Sequence, residues 1–183
     1  MKKHTFPRML GICAVVAACS SDPTPNPTGT DTDISDVLYE GDATDEALEA
    51  LVAAPLKTGM ASSISAPTQW QTISKAAPFT FAWSQPKQAF SIMSLLEGTA
   101  YAHGTPVNGS AYLLTFSTPQ NAKLVRVFTA KNTYVPSADA WNKLASAKTT
   151  ITLRVRAATF EDNRVIATGG PYDSSAISFT VAP

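Results

Sequence analysis

Ile151, Leu153, Val155 and Ala157 alternate without interruption with Thr150, Thr152, Arg154 and Arg156. A period of two sends every apolar side chain to one side of an extended backbone, so this stretch reads as a strand with one buried and one wet face. The same alternation recurs along the chain. Phe79, Phe81 and Trp83 alternate with Thr80, Ala82 and Ser84; Tyr112, Leu114 and Phe116 share one side of a second strand. Either Leu124 and Phe128 or Val125 and Val127 serve a third, and Ile177, Phe179 and Val181 alternate with Ser178 and Thr180 near the end. Thr118-Pro119-Gln120-Asn121 predicts a hairpin, because proline at the second turn position pre-sets the backbone angle. Further breaks fall at Asp162-Asn163 and at Gly169-Gly170-Pro171. Short strands, little helix and frequent turns indicate an all-β, two-sheet antiparallel sandwich over residues 66–183.

Two helices punctuate this pattern. Residues 44–54 bring Leu48, Leu51 and Val52 onto one helical face, with Thr44 or Asp45 as cap and Pro55 as stop. The face is expected to dock on the core of the body, within a segment 44–65 that leads into the sandwich. Residues 139–145 read as one helical turn capped by Ser137, with Trp141 and Leu144 three apart. Residues 84–109 are too long for a bare connection, and Phe90, Ile92, Met93, Leu95 and Leu96 stand at helical spacing within it.

The beginning of the chain has another character. Lys2, Lys3 and Arg8 precede an uncharged apolar run of ten residues, Met9 to Ala18. A spanning helix needs about 20 apolar residues, so residues 1–18 read as a removable leader. Val16-Ala17-Ala18-Cys19 resembles the bacterial lipobox. That resemblance implies cleavage before Cys19 and its acylation by chains such as palmitate, several of which are needed for stable anchoring. Ser20, where aspartate would imply inner-membrane retention in enteric lipoproteins, favours the outer membrane by the same analogy. The alternative is an ordinary secretory signal that leaves Cys19 a free thiol. Cys13 lies in the leader, so acylation of Cys19 leaves no thiol for disulfides, catalysis or metal.

Residues 19–43 form an acidic linker, and 20–35 are rich in Ser, Thr, Pro and Asp, a composition that buries too little apolar surface to order itself. Charge is divided sharply. Residues 20–56 hold nine acids and no Lys or Arg, whereas residues 57–183 hold eleven bases against five acids, −9 followed by +6. The acidic part either stays extended, which solvation alone explains, or folds back in part onto the basic body.

The body also resembles fibronectin type III and other immunoglobulin-like domains. The likeness rests on Pro78-Phe79-Thr80-Phe81-Ala82-Trp83 as the tryptophan-bearing early strand, on Thr133-Tyr134 with Trp141 and Leu144 as the crossover, and on 151–157 as the penultimate strand. Ile151 stands about where a fibronectin domain carries its corner tyrosine, a departure from the pattern. With residues 39–48 ahead of it, the whole chain is similar to lipoproteins of the myxobacterial type, which implies an address and no activity.

No catalytic set emerges. Gly-x-Ser-x-Gly elbows, phosphate-cradling glycine loops and carboxylate pairs with a stated separation are absent from the sequence. His103 is the only histidine after the leader, and zinc wants three or four ligands; Met60 and Met93 are of a type that suits a soft metal such as Cu(I), but nothing in the sequence fixes their distance from it. Glu161, Asp162, Asn163 and Asp173 offer oxygen ligands but no calcium-loop spacing, so they read better as a polar hairpin end. The expectation is therefore a non-enzymatic envelope module without cofactor, metal site or nucleic-acid partner, contacting envelope proteins or polysaccharide. Two places to bind follow. One is the insertion, through Phe90, Met93, Tyr101 and His103, for a small ligand, glycan or metal, unless those side chains simply extend the core. The other is the basic strand face of Arg126, Arg154 and Arg156, with Lys123 and Arg164 close in sequence, for an anionic partner.

Overall fold

The computed structural model describes residues 33–86 and 105–182. The leader, Cys19 and the residues Phe90, Met93, Tyr101 and His103 lie outside them. The chain builds β1 (Val37–Glu40), α1 (Asp45–Ala53), β2 (Ile64–Ala66), β3 (Gln71–Ser74), β4 (Phe81–Trp83), β5 (Gly109–Thr118) and β6 (Asn121–Thr129). It continues through β7 (Thr133–Tyr134), α2 (Ala138–Ser146), β8 (Ile151–Glu161), β9 (Arg164–Val165), β10 (Tyr172–Asp173) and β11 (Ile177–Ala182).

The strands form an eight-stranded sheet in the order β1-β6-β5-β8-β11-β3, with β9 and β10 also on β8, and a three-stranded sheet β2-β4-β7. Period-two alternation dictates what lies between them. Tyr112, Leu114 and Phe116 of β5, Val125 and Val127 of β6, and Ile151, Leu153, Val155 and Ala157 of β8 share one cluster with Phe81, Trp83 and Tyr134 of the small sheet. Phe81 is the hub: its ring meets Phe116 at 4.9 Å and Phe179 at 5.6 Å. On β6 the inward pair is Val125 and Val127, while Phe128 faces the other way into a second cluster.

The large sheet is mixed, a correction to the antiparallel expectation. β1 runs parallel to β6, and β3 runs parallel to β11. Both are edge strands reached by long crossings, and alternation carries no signal of strand direction. β1 also lies inside the stretch 19–43 whose composition reads as linker. Four residues suffice there because pairing to β6 satisfies one side of their backbone, Arg126 hydrogen-bonds Asp36, and Val37 is buried. Among the described residues, the acidic segment thus touches the basic body through Asp33, Asp36 and β1.

The helices complete the two layers. α1 begins at Thr44, whose hydroxyl accepts from the Ala47 N–H, and buries Ala47, Leu48, Leu51 and Val52. They pack on Ala111, Leu113, Phe128, Ala158 and Phe160, the outward residues of β5, β6 and β8. α2 is longer than one turn, nine residues, and is capped by Ser137; it sends Ala140, Trp141 and Leu144 into the main core. Among the described residues, no helix is long and apolar enough to cross a membrane.

Candidate functional site: a cationic cavity on the outer sheet face

α1 covers only part of the outer face. Strand register shows where the cover ends. Leu113 of β5 lies opposite Phe128 on one side and Arg156 on the other; two residues along, Thr115 lies opposite Arg126 and Arg154. One row is thus half apolar and the next is a threonine flanked by two arginines. Two residues further, Ser117 lies opposite Thr152, which in turn faces Ser178 of β11. Along β8 the outward series Thr152, Arg154, Arg156, Ala158, Phe160 passes from wet to buried within one strand.

At this border a surface cavity of about 190 Å³ opens, lined by Val52, Leu113, Thr115, Ala122, Lys123, Arg126, Arg154, Arg156 and Asp173. The short side chain of Thr115 between longer neighbours makes the depression. Two carboxylates fix the guanidinium groups. Asp173 accepts from Arg156 Nε at 2.7 Å and from its Nη2 at 3.0 Å, a bidentate fork. The same carboxylate stands 3.9 Å from Arg154, whose side chain remains 57 % exposed. Asp36 accepts from Arg126 Nε at 3.1 Å and also from Nη2, and the Asp33 carbonyl takes a further bond from that nitrogen. Hydrogen bonding to Arg126 first, and then the arginine charge, hold the Asp36 carboxyl below its ordinary range despite partial burial.

Asp173 reaches this position because the chain turns back tightly before β10. Gly170 has φ +107°, and a Cβ there would lie 2.9 Å from the Ala157 carbonyl oxygen. Glycine is therefore required for the close approach that sets Tyr172 opposite Ala157 and Asp173 opposite Arg156. The Ser174 hydroxyl accepts from the Val155 N–H at 3.0 Å and helps to lock the strand.

Of the basic face expected from sequence, Arg126, Arg154, Arg156 and Lys123 converge on the cavity. Arg164 does not. It pairs in register with Glu161, seven residues beyond Arg154, about 23 Å along β8. Glu161, Asp162, Asn163 and Asp173 do not converge either: Asp173 serves Arg156, while the Asn163 amide oxygen accepts from Val107 N–H at 2.7 Å and from the Thr44 hydroxyl at 3.0 Å. Among the described residues, no group of three or more His, Cys, Asp or Glu side chains is placed to hold a metal ion.

Sequence reasoning missed Thr115 and the clamp role of Asp173. Thr115 was legible in principle, being an outward residue in the alternation of β5; Asp173 depends on a turn geometry that no motif encodes. A third residue missed is Trp70, 69 % exposed, with φ +64°. Comparison with protein-family models, with curated proteins and with solved structures returns no match.

Proposed function

We propose that this chain is a lipid-anchored envelope protein acting as a non-catalytic interaction module. In this reading, residues 1–18 are a lipoprotein signal peptide, Cys19 carries the acyl anchor at the outer membrane, and the acidic stretch after it spaces an immunoglobulin- or fibronectin-like body from the bilayer. The observation that carries the reading is the part of the outer sheet face that α1 does not cover, where Arg154, 57 % exposed, stands with Arg156 and Asp173 at one cavity. An exposed guanidinium held on a rigid sheet attracts and orients an anionic partner. A protein held near a membrane by its N-terminus presents that face to neighbouring envelope components.

Cross-linking in cells, with mass spectrometry of the products, tests it on the full chain, on Cys19→Ser and on Arg154→Glu. The reading predicts an acylated N-terminus and a discrete adduct that is lost in both variants. Capture that persists in Cys19→Ser contradicts the anchor; capture that persists in Arg154→Glu contradicts the cationic face.

A further inference from the structure

The outer face holds more than its charges. From the cavity toward β3 it presents a band of hydroxyls: Thr115, then Ser117 and Thr152 in one row with Ser178, then Thr180 opposite Thr72, whose side-chain oxygens stand 3.2 Å apart. Trp70 stands where this band meets the β3 edge. Its backbone N–H donates to the Ser178 carbonyl at 2.6 Å, and the neighbouring Gln69 side chain accepts from the Ser178 N–H at 2.9 Å. Trp70 is thus 69 % exposed, on a left-handed backbone that is tied to the strand carrying Ser178. For a bulky residue a positive φ is an outlier, and such strained positions concentrate at ligand-contacting sites.

Building on the proposed interaction module, we propose that this face binds a carboxylate-bearing polysaccharide, with Trp70 as a stacking platform for one sugar ring and the Arg154 guanidinium as the receptor for a uronate carboxylate. Strand order sets the span. β3 and β8 are two spacings apart, about 10 Å, and β3 and β6 are four, about 19 Å. That is room for several linked rings across the strands. The cavity itself, about 190 Å³, is smaller than the roughly 300–1,000 Å³ of a small-molecule site. It fits one charged residue of a longer chain. The Arg156–Asp173 fork shows how a carboxylate is received here, while Arg154, at 3.9 Å from the same aspartate, remains 57 % exposed.

Arginine clusters also receive acidic peptides, but the hydroxyl band and the exposed Trp70 ring beside it favour a sugar polymer. A sugar polymer needs the combination found here: hydroxyl partners, an apolar ring face and a cation.

The test is titration calorimetry of the full chain with polygalacturonate, neutral dextran and poly-L-glutamate at one low and one physiological salt concentration. Polygalacturonate should bind at least about tenfold more tightly than either other polymer, and Trp70→Ala and Arg154→Gln should each weaken it about tenfold at unchanged melting temperature. Poly-L-glutamate binding as tightly as polygalacturonate, or indifference to Trp70→Ala, overturns the polysaccharide assignment while leaving an anion-binding module in place. Failure of both anionic polymers to bind removes the cationic-face reading as well.

Discussion

The inner and outer faces of the large sheet are made by the same strands and meet different fates. Inward, Ile151, Leu153 and Val155 are fully buried beneath the small sheet and α2. Outward, the intervening residues fall into two regions: Ala158 and Phe160 lie under α1, while Thr152 and Arg156 are half-buried and Arg154 is exposed. One nine-residue helix spans about 13 Å at 1.5 Å per residue, too little to roof strands of nine to eleven residues. The polar half of the face is what the helix does not reach. Burial on one side therefore makes a rigid platform, and incomplete burial on the other leaves a surface that can bind.

Substitutions can break or sharpen this contrast. Phe81→Ala, at the hub of the inner core, should lower stability by about 3–5 kcal/mol, measured by urea unfolding. Leu51→Ala, fully buried under α1, should lose about 2–5 kcal/mol; a change below 1 kcal/mol would mean that α1 is not docked as described. Asp36→Asn should lose about 1.5 kcal/mol, the lower end for a hydrogen bond to a charged group, because Asp36 is 41 % exposed. Its pH dependence has a defined sign. The folded carboxyl is held below its unfolded value of about 3.9, so the contribution is complete above that pH and fades as the pH falls through the lowered folded value. The gap in melting temperature between the parent and Asp36→Asn should accordingly be largest near neutrality and shrink below about pH 4. Thr44→Ala removes the α1 cap and should lose about 1 kcal/mol. Arg154→Gln, on the uncovered half, should change stability by no more than about 0.5 kcal/mol, separating any loss of binding from loss of fold.

Much of the scaffold was legible from periodicity. Residues 151–157, Tyr112-Leu114-Phe116 and the Thr118–Asn121 turn stand where alternation and turn chemistry place them. The α1 face and both caps followed from 3.6-residue spacing and side-chain oxygens next to orphan N–H groups. Sheet order was not legible. Parallel pairing of β1 and β3 depends on crossings that local sequence does not encode, and β1 sits in residues whose acidity reads as solvated chain until Arg126 is seen beside Asp36. The site was half legible. Arg154 and Arg156 lie two apart on one strand, so a shared face was certain once the strand was; Arg126 joins them only through the pairing of β5 with both neighbours. Trp70 fits no alternating pattern, and only its exposure and backbone angle in the structure distinguish it from a core tryptophan.

The most direct test of the divided outer face is backbone amide chemical-shift mapping of the full chain with a short galacturonate oligomer. Perturbations should centre on Trp70, Thr115, Thr152, Arg154 and Arg156 and leave Leu48, Leu51 and Phe160 unmoved. Perturbations centred on α1 or on the small sheet would contradict the assignment of the uncovered half as the binding surface.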